Sequence, residues 1–296
     1  MSVRFSLLPA MLVAAFPALS GRDPTPAKAT EGYTVLSVDV PDGSFTSVFG
    51  INNQGVLTGN YLHSDGTVHG FLLRGDDWTD VVVPGVVSST PGALGEINEA
   101  GAATGGFADA DEVSHAFLYD SRGRITLIPD ALPGALSTDI SGINNRGDMS
   151  GTVVDADGVL HGFIMQRGNT VIFDHPGGNR TRLFGINNHG QVVGQYFDAA
   201  NVRRGFILDG EKLTPVDVPG SNSTVTTAIN DRGQVVGFYR DADFITHGFL
   251  LDRGQFTTID FPGSEDTRLM AINQLGVIVG TYDFFGRGMV AMPSKQ

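Results

Sequence analysis

The sequence has no cysteine and few basic residues. The lack of cysteine excludes disulfide bonds, thiolate metal sites and a lipid anchor attached to a cysteine. Lys and Arg number 19 against 32 Asp and Glu, which gives a formal net charge of −13. Nucleic-acid binding needs a basic surface, so this charge balance argues against such a partner. It favours neutral sugars, cations or cationic proteins.

Long apolar runs, helical patterns and catalytic motifs are also scarce. Apolar residues show no helical spacing after residue 30. The extended apolar stretch at residues 7–19 contains Pro9 and Pro17 and is shorter than the roughly 20 residues that a membrane-spanning helix needs, so no membrane span is expected. The sequence contains no Gly-x-Ser-x-Gly, no His-Glu-x-x-His, no phosphate-binding glycine loop and no dinucleotide fingerprint.

The first residues instead have the pattern of a secretory signal. Arg4 precedes the apolar stretch, and Ala18-Leu19-Ser20 supplies small residues before Gly21. We expect a signal peptide over residues 1–20, with cleavage as late as residue 29, and a flexible leader over 21–32. The mature protein is then secreted or periplasmic, with its folded domain at residues 33–293.

What the chain does contain is a repeat. Ile-Asn-x-x-Gly occurs six times, at steps of 46 and then 43 residues, with its isoleucines at Ile51, Ile97, Ile143, Ile186, Ile229 and Ile272. Between the motifs lie short segments rich in Val, Ile, Phe and Thr, separated by Gly, Asn, Asp and Pro, which indicates four short strands per unit. Units of this length predict the blades of a β-propeller.

The two ends of the repeat array predict how the ring closes. The sixth unit ends without a fourth strand, whereas residues 33–41, ahead of the first unit, match the fourth strand of other units. Pairing of this N-terminal strand with residues 289–292 would complete the last blade and remove its exposed edge. The sequence therefore predicts an all-β protein, a six-bladed propeller of four-stranded antiparallel blades closed by its N-terminal strand.

A second motif follows each Ile-Asn-x-x-Gly turn. It reads His115-Ala116-Phe117 in unit two and His-Gly-Phe, beginning at His69, His161 and His247, in units one, three and five. On these residues the chain resembles the HAF-repeat family of bacterial extracellular proteins over roughly residues 33–293. The resemblance implies an extracellular, propeller-like protein with no assigned activity. Units four and six depart from the motif, with Arg204 and Arg287 in place of the histidine.

Hairpin registers assign a structural role to most of these histidines. The turns place a carboxylate opposite the His or Arg in four blades, in the pairs His161–Asp174, His247–Asp260, Arg204–Asp217 and Arg287–Asp39. Arg can replace His in an ion pair but not in a metal site or as a general base. The same registers place His69 opposite Val82 and His115 beside Leu127 and Ile128, so these two lack the acid and are candidates for an active imidazole.

Acidic loops between the second and third strands raise the question of calcium. The candidate ligands are Asp109 and Asp111 in unit two and Asp155 and Asp157 in unit three, with a hairpin tip as the alternative explanation. A complete calcium-loop motif is absent. We expect no required cofactor and leave calcium as an open alternative.

Ligand contacts are predicted at the funnel mouth, where the links between blades lie. The position four residues before each motif Ile varies freely among the units and holds Asp139, Arg182 and Arg268. Variation within a rigid repeat is where specificity can be installed, so these three, helped by Glu265 and Asp266, are the predicted ligand-binding residues.

These observations support an exported, monomeric propeller that binds a glycan, a small molecule or a surface protein. The alternative is a secreted hydrolase or lyase acting on carbohydrate or ester substrates, with Asp139, His115 and His69 as its acid and base groups. A purely structural envelope protein is a third hypothesis.

Overall fold

The computed structural model describes residues 32–40, 44–111 and 113–294. These residues form 24 β-strands and no helix. The predicted signal peptide, and the predicted leader up to residue 31, lie outside the described residues. In the part of the chain described, no helix has the length and apolar character that a bilayer span requires.

The strands follow one another along the chain in six groups. They are β1 (Tyr33–Val38), β2 (Ser44–Ile51), β3 (Leu57–Leu62), β4 (Val68–Arg74), β5 (Asp77–Val81), β6 (Ala93–Ile97), β7 (Ala103–Ala108), β8 (Ser114–Tyr119), β9 (Ile125–Leu127), β10 (Ser137–Ile143), β11 (Met149–Val154), β12 (Leu160–Gln166), β13 (Asn169–Phe173), β14 (Asn179–Ile186), β15 (Val192–Phe197), β16 (Arg203–Asp209), β17 (Lys212–Val216), β18 (Ser223–Ile229), β19 (Val235–Arg240), β20 (Thr246–Asp252), β21 (Gln255–Thr258), β22 (Thr267–Ile272), β23 (Ile278–Tyr282) and β24 (Arg287–Pro293).

The strands build six four-stranded antiparallel sheets arranged in a ring, which is the predicted six-bladed β-propeller. Blades one to five are β2–β5, β6–β9, β10–β13, β14–β17 and β18–β21, each in simple up-and-down order from the first, innermost strand outwards. Blade six is β22–β23–β24–β1.

The N-terminal strand completes blade six, in agreement with the prediction. β1 pairs antiparallel with β24 from Tyr33 opposite Pro293 to Val38 opposite Gly288. Val35 and Val38 are fully buried in this pairing. The first and last described strands of the chain therefore share one sheet, and the ring has no open blade.

The Phe of the second motif forms the core of each blade. It lies on the third strand, is almost wholly buried and is replaced by Met289 in blade six. Each is paired with a glycine on the second strand, at Gly59, Gly105, Gly151, Gly194, Gly237 and Gly280. A Cβ at Gly105 would overlap the ring of Phe117, so glycine is what lets the aromatic ring lie flat against the sheet.

The asparagine of Ile-Asn-x-x-Gly joins neighbouring blades. Its side-chain oxygen accepts the N–H groups two and four residues later, as Asn52 does from Gln54 and Val56. Its side-chain amide donates to the carbonyl oxygen of the equivalent asparagine in the next blade. These donations form a closed ring from Asn52 through Asn98, Asn144, Asn187, Asn230 and Asn273 back to Asn52. We call these six residues the asparagine ring; both ends of each amide are used, so Asp would not serve.

Candidate functional site

The innermost strands expose blade-specific side chains near the ring axis. Every innermost strand contains a register shift two to three residues before its motif Ile. A β-bulge of this kind re-aims a side chain. In blades four, five and six the re-aimed side chains are Phe184, Thr227 and Met270, and all three line one cavity.

This cavity, the funnel pocket, has a volume of about 390 Å³. It lies at the end of the ring where second strands end and third strands begin, because Phe197 and Arg203 flank the loop between β15 and β16. Its lining residues are Leu160, Arg180, Arg182, Phe184, Gln195, Phe197, Arg203, Val225, Thr227, Phe238, Met270 and Phe285. Its size is within the roughly 300–1,000 Å³ typical of small-molecule sites.

Arginines make the pocket basic although the protein is acidic. Arg182 and Arg203 line the pocket, and the charges of Arg240, Arg268 and Arg182 all act on Arg203. Burial, and then these like charges, lower the pKa of Arg203. Among the described residues, no carboxylate lies within 4.0 Å of Arg182, Arg203 or Arg240. Arg182 and Arg203 therefore line the pocket without an ion-pair partner, and the charge of Arg240 acts on Arg203 from outside the lining.

Arg268 is held differently. Its guanidinium donates to both carboxylate oxygens of Asp266, at 2.9 and 2.8 Å, and Asp266 is only 1% exposed. The same guanidinium lies 4.1 Å from the ring centre of Phe285, which is a cation–π contact. Asp266 thus neutralises Arg268, and Arg268 supports an aromatic residue of the pocket wall.

The loop that carries Phe285 has an unusual backbone. Asp283, Phe284 and Phe285 all have positive φ, at 52°, 57° and 66°. This left-handed region is unfavourable for residues other than glycine and is found preferentially at functional sites. Phe284 is 73% exposed, so the loop presents an aromatic side chain to solvent at the edge of the pocket.

The other two predicted ligand residues lie at the margin. Asp139, on blade three, is exposed. Partial desolvation of its carboxyl by neighbouring residues raises its pKa, and the charge of Arg182 lowers that pKa in part. Glu265 is exposed, and its backbone carbonyl accepts the N–H of Thr246. Of the five predicted residues, Arg182 lines the pocket, Arg268 and Asp266 support its wall, and Asp139 and Glu265 do not line it.

The prediction that His69 and His115 lack an acid is wrong. His69 Nδ1 lies 2.9 Å from Asp80 Oδ1, because Asp80 is two residues from Val82 and so on the same face of the strand, within diagonal reach. His115 Nε2 lies 3.0 Å from Asp109 Oδ2, a loop carboxylate that the hairpin register does not indicate. In the described residues, no hydrogen bond or ion pair joins either histidine to Asp139, so the three proposed catalytic groups are not brought together.

Loop aspartates complete the pairs in the other blades. His161 contacts Asp174 at 2.9 Å and Asp155 at 3.2 Å, and His247 contacts Asp260 at 2.7 Å and Asp241 at 3.2 Å. Burial alone would lower the pKa of both histidines, but the hydrogen bonds to these carboxylates outweigh it and raise the pKa. The registers predicted Asp174 and Asp260; the loop carboxylates Asp155 and Asp241 were missed.

The calcium candidates are engaged in turns. Asp109 Oδ1 accepts the N–H groups of Asp111 and Val113 while Oδ2 contacts His115, and Asp155 makes the same three contacts with Asp157, Val159 and His161. The carboxylates of Asp109 and Asp155 therefore already have partners within the protein. These loops are hairpin tips of the kind given as the alternative to calcium.

A different group of metal-binding side chains meets in blade one. Donor atoms of His63, Asp65 and His69 lie within 4.8 Å of one another. Nδ1 of His63 accepts the N–H of Asp65, as the loop aspartates do in other blades, and Nε2 of His69 lies 2.9 Å from the Thr67 hydroxyl. Turn capping therefore accounts for His63, and imidazole donors would suit Zn²⁺ rather than Ca²⁺.

Sequence reasoning missed Arg203 and Gln195. The available signal was strand alternation: Arg203 precedes Arg204 on β16, so the two side chains point to opposite faces of the sheet. Arg204 was assigned to the outer ion pair, which left Arg203 for the other face. Gln195 lies opposite Arg182 in the register of β14 and β15, so the same alternation places it beside a residue that was predicted.

No family model matches the chain, and no curated protein matches it. Solved structures do. A streptogramin B lyase is 11% identical over 90% of this chain and 100% of its own, with a TM-score of 0.54. TolB from Acinetobacter baumannii is 13% identical over 81% of this chain and 64% of its own, with a TM-score of 0.57. The SapL1 lectin, in complex with alpha methyl fucoside, is 13% identical over 81% of this chain and 89% of its own, with a TM-score of 0.52. At these identities the similarity shows the propeller fold alone.

Proposed function

We propose that this protein is an exported ligand-binding propeller whose ligand, a glycan or a small molecule, binds at the funnel mouth. The observation that carries the proposal is the funnel pocket: a ligand-sized cavity lined by side chains that differ from blade to blade in an otherwise regular ring. Structural residues such as the asparagine ring repeat in every blade, whereas the pocket residues do not. Lectins are among the proteins of similar fold, which is consistent with a binding role.

The alternative is a secreted hydrolase or lyase that uses Asp139, His115 and His69. The fold similarity to a streptogramin B lyase is the observation in its favour. Against it, both histidines are held by aspartates, and neither contacts Asp139 among the described residues. The binding role therefore has the stronger support.

Export and membership of the HAF-repeat family are part of the same proposal. They rest on the N-terminal sequence pattern and on the His-Ala/Gly-Phe motif. Mass spectrometry of the protein secreted by its host, or released from its periplasm, should find a mature N-terminus between residues 21 and 30. A full-length cytoplasmic protein would contradict export.

Thermal melting against a ligand panel tests the binding role. The panel contains oligosaccharides, organic acids, and Ca²⁺ with and without chelator. A ligand that binds the folded state should raise the melting temperature in a concentration-dependent way. Product analysis on each hit, with Asp139→Asn and His115→Ala variants, separates binding from catalysis. A panel without any shift would argue against a funnel ligand.

A further inference from the structure

Arginines in and beside the funnel pocket lack a carboxylate within ion-pair distance. Four of the described arginines, Arg124, Arg146, Arg204 and Arg268, have a carboxylate within 4.0 Å. Arg182, Arg203 and Arg240 do not, and they differ from the other unpaired arginines because the charges of Arg240 and Arg182 act on Arg203. The charge of Asp139 acts on Arg182 from beyond ion-pair distance. Like charges held together in a partly buried site are unfavourable until an opposite charge enters.

The internal repeat shows that these arginines are not required by the fold. The three preceding blades and the following one offer a comparison at the position of Arg203. The register-equivalent residues there are Val68, Ser114, Leu160 and Thr246. A strand of the same geometry thus accepts apolar or small polar side chains. Blade formation therefore does not explain why arginine occupies this position in blade four.

Gln195 supplies a second, independent indication. Its side chain lines the pocket and is only 5% exposed, and it forms no hydrogen bond with any described residue. Its amide atoms are not fully enclosed by protein, so they face the pocket and are available to a ligand hydroxyl. Hydroxyl groups are therefore expected on the ligand in addition to the negative charge.

The walls of the pocket are aromatic. Phe184, Phe197, Phe238 and Phe285 line it, and Arg180 stacks over the ring of Phe197 at 3.9 Å. Apolar ring faces of this kind suit a ligand that is itself a ring with an apolar face. A free inorganic anion would use the arginines and leave the phenylalanines and Gln195 unexplained.

We propose that the funnel pocket binds an acidic saccharide. The carboxylate or sulfate group lies against Arg203 and Arg182, and the charge of Arg240 adds to the attraction. A hydroxyl meets Gln195, and the sugar ring lies on a phenylalanine. This inference rests on the proposed function and specifies its ligand class. It also accounts for a basic pocket in an acidic protein, because the surrounding negative charge disfavours anions elsewhere on the surface.

Calorimetric titration of the purified protein tests this assignment. The probes are a galacturonate disaccharide, a sulfated disaccharide, the neutral galactose disaccharide, and benzoate as an anion on a ring without hydroxyls. The acidic disaccharides should bind at least about tenfold more tightly than the neutral one, since charge-assisted hydrogen bonds are the strong ones. Raising the salt concentration about tenfold should lower the affinity of the anionic probes and leave that of the neutral disaccharide unchanged.

Variants with a matched control locate the binding. Arg203→Gln should weaken the acidic saccharide by at least about tenfold. Arg204→Gln, one residue away on the opposite face and paired with Asp198, should leave affinity unchanged. Gln195→Leu should weaken saccharides and spare benzoate. If Arg203→Gln fails to fold, Arg203→Lys keeps the charge and should retain weakened, salt-dependent binding.

Several outcomes would overturn the inference. Equal binding of the neutral and acidic disaccharides, with Phe197→Ala abolishing both, would leave the funnel as the binding site and refute the anionic ligand. Benzoate binding more tightly than either acidic disaccharide would refute the saccharide. No binding of any of these probes, together with a negative ligand panel, would refute both this inference and the proposed function.

Discussion

Glu96 is the residue that departs most from the pattern of the ring. Immediately before the motif Ile the other five blades have Gly50, Gly142, Gly185, Ala228 and Ala271. Glu96 lines a small cavity on the ring axis, and its Oε2 accepts the N–H of Ile143 at 3.0 Å. Burial raises the pKa of this carboxyl to about 8. It is therefore protonated in the folded protein at neutral pH.

Replacing Glu96 with glutamine should stabilise the protein in a pH-dependent way. In the unfolded chain the carboxyl ionises near pH ~4.3. Folding raises the pKa of the Glu96 carboxyl, so the contribution of this group to the free energy of unfolding is full below that pH. The contribution then falls by up to about 1.4 kcal/mol per pH unit until the pH passes the folded pKa. Glutamine keeps an acceptor for Ile143 and cannot ionise. In denaturant unfolding, the free energy of unfolding of Glu96→Gln should exceed that of the parent by a small amount at pH 5 and by a larger, constant amount above pH 8. A difference independent of pH would contradict this account.

The paired histidines should have the same sign of pH dependence. The pKa of His247 is raised on folding, so its ion pairs with Asp260 and Asp241 add stability below the unfolded value of ~6.5, and this is lost as the pH rises through the folded value. His247→Gln should cost under about 1 kcal/mol at pH 5.5 and less at pH 9. Arg204→Gln is the control: arginine stays charged, so its cost should be equal at both pH values.

How far such residues could be predicted depends on whether local geometry fixes them. The pair His247–Asp260 followed from hairpin arithmetic, since a two-residue turn sets the register. Asp80 and Asp109 were missed because diagonal reach and loop conformation are not set by register. The unpaired state of Arg203 depends on side chains from two other blades, and no local pattern in one sequence reports such contacts.

Among the structural elements, the second and third strands depend on glycine for their packing. Gly105 and Gly106 are adjacent on β7, but a Cβ at Gly105 would overlap the Phe117 ring, whereas the nearest atom to one at Gly106 is 3.6 Å away. Gly105→Ala should therefore destabilise the protein by about 1–3 kcal/mol. Gly106→Ala should be neutral or mildly stabilising, because it restricts the unfolded chain. Equal melting temperatures for the two variants would argue against the Phe–Gly packing.

The residue five positions before each motif Ile, near the start of the innermost strand, is threonine in every blade except blade two, which has Gly92. Threonine occupies this position in five blades, and its hydroxyl oxygen accepts an N–H from the link that enters the blade, as Thr181 does from His175 and Thr224 from Val218. The recurrence of Thr in the sequence is itself a sign of a role at the strand start. The partner was not predictable, because it lies on an irregular link. A residue that recurs at the same position in nearly every repeat can thus be identified as structural from the sequence, but its hydrogen-bond partner cannot.

On the scale of the whole molecule, the asparagine ring should determine how well the blades stay together. Asn98 donates to the carbonyl of Asn144, and its Oδ1 accepts the N–H groups of Ala100 and Ala102. Asn98→Asp keeps an oxygen to accept the N–H groups of Ala100 and Ala102. It loses the donor to Asn144 and places a carboxylate oxygen next to that carbonyl oxygen, so the free energy of unfolding should fall by about 2 kcal/mol or more. Asn145→Asp is the control, because Asn145 is exposed and its side-chain oxygen accepts the N–H of Glu99, which a carboxylate can also do. Similar losses for both variants would contradict the role of the ring.

Ring closure by β1 is the remaining property of the whole molecule, and it makes the stability of six blades depend on one short strand. Removing residues 33–41 would leave β24 unpaired along its outer edge and expose the apolar contacts of Val35, which is 0% exposed. We expect the shortened chain to melt at a markedly lower temperature or to associate through that edge. A peptide of residues 33–41 added in trans should raise the melting temperature again in a concentration-dependent way.

Point variants of β1 test the same claim if the shortened chain does not fold. Val35→Asp should be strongly destabilising, whereas Thr34→Asp, on the exposed face of the same strand, should cost little. A shortened chain that melts like the parent would mean that the other five blades and the asparagine ring hold the propeller closed without its clasp.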